Sequence, residues 1–487
     1  MKGPRYLSAL ILASLLLIGT TGVAYAAPEG GADPPPLALV LYALAFLLPV
    51  GLLLVAWGGI PPERGGTVAP LGLLALGLAL VGYLATGFAF QFGGAAFLTD
   101  DPGLAALVRY WSPVRGTEGL NWGMIGLEGF FLSGPVATPQ ALALFLSQLP
   151  LVMTAVLVPL LALPAGVRPL LRVVTGLGVA ALTYPLVGNW GLGGGWLANL
   201  GRTMQLGHGL VDFGGVGTLF LLSGATALSA GLAFRSPPEG RPYEGRHREG
   251  RRADSGPPMP PAHLPLLANL GLFLALVGWL ALGAANPLYA DRPGLHWPLI
   301  ALNGLTGLAG GALITQLYSW FTTARLDPLM APRGGVAGLV AIAPAAPFLP
   351  TWSAFLVGAM AGLIFPVLLY VLEENLGLPD EAASLATYGG AALWGLLAVG
   401  LLASGHYGVG WNGVGLQEFA GVPGQGVTGY LAAPGFRADG GQFTAQLVGV
   451  AAIGGLGFLV PWGLFALRRL ITRRPASQPH QSTTPSS

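Results

Sequence analysis

The sequence predicts an all-α polytopic membrane protein of eleven transmembrane helices. Three observations carry that expectation. Hydrophobic residues make up 53% of the 487 positions and charged residues only 9%, against roughly 25% charged in a soluble domain. Apolar stretches recur at bilayer-spanning length along the chain. Arginines then collect in alternate connections, as they do where a chain is threaded through a membrane. The 78 glycines and 42 prolines would suit disorder in water, but here they fit closely packed and broken helices in lipid.

The chain begins with a basic Lys2 and Arg5, an apolar run from Leu7 to Leu17 and an Ala-Tyr-Ala ending at Ala26. That pattern reads as a cleaved signal peptide over residues 1–26, too short for a span. The spans that follow are expected near 37–57, 68–90, 140–163, 169–188, 210–234, 263–284, 297–322, 335–350, 353–374, 383–404 and 441–467. With the mature N-terminus outside, an odd number of spans leaves the C-terminus in the cytoplasm of a cell whose inner membrane holds the protein. The basic residues agree, since fifteen arginines fall on the expected inner side and five on the outer, namely Arg109, Arg115, Arg202, Arg292 and Arg437.

The transmembrane domain is expected over 27–470. Its inner loop, 235–262, and its tail, 471–487, are polar and proline-rich and read as flexible segments. The basic loop also suits anionic lipid or a regulatory protein. The glycine- and aromatic-rich outer segments 91–139 and 405–440 read as packing loops, with lids over a pore entrance as the second reading. Cysteine is absent, which excludes disulfides, thiolate metal sites and cysteine nucleophiles. No helix carries His, Asp or Glu at metal or acid/base spacing, so the chain does not read as an enzyme and implies no cofactor.

Ionisable groups inside apolar spans are costly and mark function. Asp212 opens the fifth span and Asp380 the tenth. Asp212 can at the same time cap its helix. Counting eight residues on from each acid reaches Phe220 and Tyr388, a matched spacing that hints at an inverted five-helix repeat followed by a final helix. His208, four residues before Asp212, reads as a solvated loop histidine. Asp212→Ala is expected to be more damaging than Asp380→Ala, because Asp212 reads as the deeper acid.

The stretch from Thr183 to Gly201, TYPLVGNWGLGGGWLANLG, followed by DFGGVG from Asp212, resembles the ammonium transporter/Rhesus family. GYLATGFAFQFGG, VGWLALGAANPL, GGVAGLVAIAP and LPDEAASLATYGG extend the likeness over roughly 37–470. The resemblance implies an eleven-helix protomer, a homotrimer in the lipid bilayer, and a hydrophobic pore through each protomer for ammonium or ammonia. It implies an outer site where aromatic rings and a hydroxyl recruit ammonium beside an acid, here Asp212. The family's two pore histidines fall on Phe220 and Tyr388, its recruiting tryptophan on Leu192 and its serine on Asn286. Trp190 stands near enough to replace the missing ring. With the histidines gone, the alternatives are an ammonium transporter or channel, a pore for another small neutral molecule, and a non-conducting sensor or assembly subunit on the same scaffold.

Overall fold

The computed structural model of this protein describes residues 34–60, 64–114, 122–235, 261–289, 292, 294–378, 380 and 382–472. The expected signal peptide, nearly all of the basic loop and the tail beyond 472 lie outside the described residues. Ten helices among those described are long and apolar enough to cross a bilayer. They are α1 (Pro36–Trp57), α2 (Gly65–Phe97), α3 (Pro139–Ala162), α4 (Pro169–Trp190), α5 (Phe213–Ala233), α6 (His263–Ala285), α7 (Trp297–Thr323), α9 (Thr351–Asn375), α10 (Leu385–Leu402) and α11 (Gly440–Leu467).

The remaining element, α8 (Met330–Ile342), is a shorter apolar helix of 13 residues where a span over 335–350 was expected. Proline is the cause. Pro344, Pro347 and Pro350 cannot donate backbone hydrogen bonds, so the helix gives way to buried turns through Leu349. Non-helical backbone at membrane depth needs partners from the protein itself. Asn303 of α7 supplies them, donating from Nδ2 to the carbonyls of Ala346 and Leu349, both at 2.8 Å.

The packing repeats. α1 lies along α6, and α5 crosses α10. Around those two pairs, the α1–α3, α2–α3, α2–α4, α3–α4 and α3–α5 contacts recur as α6–α8, α7–α8, α7–α9, α8–α9 and α8–α10. α11 then packs outside this arrangement against α5 and α10. The α5–α10 crossing is made possible by two glycines, because a Cβ on Gly224 would fall on the Cα of Gly389. Large apolar side chains such as Leu73, Leu266 and Phe321 stand out from the bundle at 70–80% exposure, where lipid would cover them.

Among the described residues, four helices contain a π-helical turn, at Tyr83–Gly87, Val179–Thr183, Val371–Asn375 and Leu385–Gly390. Such turns re-aim side chains and gather at functional sites. The last of them carries Tyr388. The long connections hold two small hairpins, β1 (Tyr110–Trp111) with β2 (Ile125–Gly126) and β3 (Glu418–Phe419) with β4 (Val422–Pro423).

Candidate functional site

The approach to α5 turns back over the helix start because Gly214 and Gly215 both take positive φ, +72° and +70°, a region that favours glycine. The Asp212 carboxylate is thereby set over the first turn. Its two oxygens accept from the amides of Gly217, at 2.9 Å, and Thr218, at 2.7 Å, satisfying donors that a helix start leaves open. The Gly214 amide donates to the Tyr289 hydroxyl at 2.9 Å. Burial pushes the Asp212 carboxyl up to about 6, against the opposing pull of the Thr218 and Gly217 bonds.

The start of α10 repeats this arrangement at the other end of the bundle. Asp380 lies there beside Ala227, Gly231 and Leu385 on a cavity of about 20 Å³. Its carboxylate accepts from Ser384 at 2.7 Å, Leu385 at 2.9 Å and Ala386 at 3.0 Å. Burial raises its pKa, while those three amides and Arg333 act the other way. Both acids are therefore helix caps as well as buried charges. Between them the expected pair meets face to face, with Phe220 and Tyr388 buried and stacked at 5.3 Å between centroids and 14° between planes.

At the Asp212 end a cavity of about 190 Å³ is lined by Asp212, Leu192, Thr99, Tyr289, Arg292 and Trp411, among others. Tyr289 stacks on Phe213 at 5.1 Å and lies 6.0 Å from Trp411, which meets Phe348 edge-on at 4.9 Å. The Arg292 guanidinium sits 4.6 Å from the Trp411 ring centroid and 5.6 Å from that of Tyr289. A carboxylate and two aromatic faces around a small cavity form a place for a small cation. Phe213, the residue after Asp212, lines a separate chamber of about 10 Å³ with Gln148, Leu151, Trp279 and Asn286, close to the least volume that holds one water-sized molecule.

The structure thus brings together Asp212 and Leu192 at one mouth, Phe220 and Tyr388 mid-bundle, and Asp380 at the far end. Trp190 is not among the residues lining the cavity beside Asp212. Its ring packs against Trp196 and its Nε1 donates to the Met124 carbonyl at 2.9 Å. Asn286 also lies off that cavity, its side-chain oxygen accepting from the Leu288 amide at 3.0 Å. The tryptophan that lines this cavity is Trp411, in the connection that reads first as packing. His208, expected in solvent, is fully buried against Phe419 at 4.5 Å with neither ring nitrogen bonded to protein. Burial accordingly lowers its pKa to about 4. Tyr289, Arg292 and Trp411 were not among the expected site residues, because Trp411 joins the neighbouring Tyr289 and Arg292 only in three dimensions. A tryptophan amid glycines, GVGWNGVG, was the one local signal.

A repeated helical bundle with a polar mouth above an apolar axis defines a polytopic membrane protein of the channel and transporter class. Residues 37–480 match the Ammonium Transporter Family. The chain is 27% identical over 408 residues to the ammonium transporter Amt2 of Archaeoglobus fulgidus, covering 82% of this chain and 79% of that protein. An ammonium transporter of Bacillus subtilis is 27% identical over 222 residues, 46% of this chain and 48% of that one. Among solved structures, Candida albicans Mep2 superposes with a TM-score of 0.66 at 18% identity, over 89% of this chain and 84% of that chain. A structure described as a sensor Amt protein superposes with a TM-score of 0.65 at 19% identity, over 90% and 93%. The chain belongs to the ammonium transporter family.

Proposed function

We propose that each protomer gathers ammonium at the Asp212 mouth and passes ammonia along the α5–α10 axis to the Asp380 end. The observation that carries this is the cavity in which Asp212, at the start of α5, shares the lining with the Tyr289 and Trp411 rings. Phe220 offers no proton acceptor, and a tyrosine hydroxyl, with a pKa of about 10, relays protons poorly at neutral pH. The species crossing mid-bundle is then the uncharged one. The protein carries this out as a homotrimer in the inner membrane, with its N-terminus outside and its C-terminus cytoplasmic, a reading supported by family membership and the arginine bias. It is a conduit and not an enzyme, and its basic loop is the natural contact for a regulatory protein.

A sensor that recognises ammonium without conducting it is the second reading. It is favoured by the Phe220–Tyr388 stack, whose 5.3 Å centroid separation leaves no passage between the rings. Proteoliposomes under an ammonium gradient separate the two. A rise in internal pH without current supports neutral ammonia flux. Current shows that net charge crosses. No flux, unrescued by Phe220→His with Tyr388→His, supports the sensor.

A further inference from the structure

We infer that Arg292 is a tethered competitor for the cation site at the Asp212 mouth, so that ammonium must displace its guanidinium from the Trp411 and Tyr289 rings before it can bind. The inference rests on reading that mouth as the ammonium entrance, and it identifies what regulates the site.

The faces that would attract a small cation are already covered by one. Arg292 lies within cation–π range of both rings, nearer to Trp411 at 4.6 Å than to Tyr289 at 5.6 Å. The Arg292 amide also donates to the Tyr289 carbonyl at 3.3 Å, which keeps the two residues together. The same cavity is lined by Asp212, so the guanidinium stands in the space a bound cation would use beside that carboxylate. Both charges act on the Tyr289 hydroxyl between them, in opposite senses.

Two consequences follow from like-charge repulsion and shared ring faces. A second cation cannot occupy the rings beside Arg292 without cost, so the arginine lowers apparent affinity without contributing to the pore. A planar guanidinium also spreads over an indole face in a way that a compact ammonium does not. Arg292→Lys should therefore compete less well for Trp411 and give an affinity between those of the native protein and Arg292→Gln.

The test is direct binding, read by tryptophan fluorescence in detergent-solubilised full-length protein, with ammonium chloride as probe and sodium chloride as control. There are 12 tryptophans, so the Trp411 signal is taken as the difference from Trp411→Leu. Arg292→Gln is expected to lower the half-saturating ammonium concentration at least about threefold, the weak end of a displaced cation–π contact. Adding Trp411→Leu to Arg292→Gln should abolish the response. Unchanged or weaker binding in Arg292→Gln overturns the inference, as does the lack of an ammonium-specific response in every variant. Ammonium flux into proteoliposomes, run in parallel, judges the conduction reading separately. Tighter binding with no flux keeps the arginine competitor and rejects transport, whereas flux without a binding shift does the reverse.

Discussion

Asp212 and Asp380 are buried almost equally, at 8% and 9% exposure, which removes the reason for ranking Asp212→Ala as the worse substitution. Each loss strips two or three helix-start amides of their acceptor. Both alanine variants should lose about 1–3 kcal/mol of stability, visible as similarly lowered thermal midpoints in detergent. Only Asp212→Ala should also weaken ammonium binding. The pH behaviour divides in the same way. Because the Asp212 carboxyl is raised to about 6, the native state holds its proton to higher pH than the unfolded chain, so its stability contribution is present in acid and lost as pH climbs to about 6. Ammonium affinity moves oppositely and falls as pH drops through about 6, because a protonated carboxyl attracts no cation. His208, lowered to about 4, contributes stability above the ordinary imidazole range that is lost as pH falls from there toward about 4. Since neither of its ring nitrogens meets a protein partner, His208→Phe should leave the thermal midpoint unchanged or raise it, by up to about 1 kcal/mol in stability. A midpoint lowered by several degrees would contradict this.

The helices show which parts of a fold a sequence can announce. Ten spans were legible because length and hydropathy act locally, residue by residue. The true length of α8 was written in Pro344, Pro347 and Pro350, but apolar composition masks a break that only backbone donors reveal. The matched eight-residue spacing from acid to aromatic signalled the repeat correctly, and the structure gives its cause: each acid caps a helix whose second turn carries the ring. The mouth was less legible. Trp411 lies more than a hundred residues from Tyr289, and no local pattern records that meeting. At this scale the α5–α10 crossing is the most exacting contact. Gly224→Leu should reduce the folded, monodisperse yield on size exclusion sharply, since overpacking a close helix contact costs about 1–3 kcal/mol or more. Leu at Gly66, which has open space around its Cβ position, is the matched control.

Across the described molecule, a cavity of about 190 Å³ lies at the Asp212 end and one of about 20 Å³ at the Asp380 end, with the Phe220–Tyr388 stack between the two acids. The stacked rings of Phe220 and Tyr388 carry no charge and no proton-accepting nitrogen. The expected flux is therefore ammonia with alkalinisation and no current, measured in the proteoliposome assay. Replacing Phe220 with Ala should remove the stacked barrier and admit methylammonium, whereas Phe220→Trp should reduce flux. The charges at the two ends differ in company. At the Asp380 end, Arg333 lies within electrostatic reach of Asp380, Asp327 and Glu373, and at the Asp212 end Arg292 shares a cavity with Asp212.

The last helix bears on how such a protein is made. Gln442 and Gln446 of α11 complete the backbone that leads into Asp212, bonding the His208 and Val211 amides and the Gly209, Val211 and Leu396 carbonyls at 2.8–2.9 Å. Four of these groups belong to the buried non-helical run 208–211, where unpaired amides and carbonyls are costly, and the fifth, the Leu396 carbonyl, lies within α10. During synthesis those four wait for the final segment to leave the ribosome and insert. The Asp212 cavity therefore cannot take its final form until α11 is in place, and a chain ended before α11 should leave this backbone unpaired.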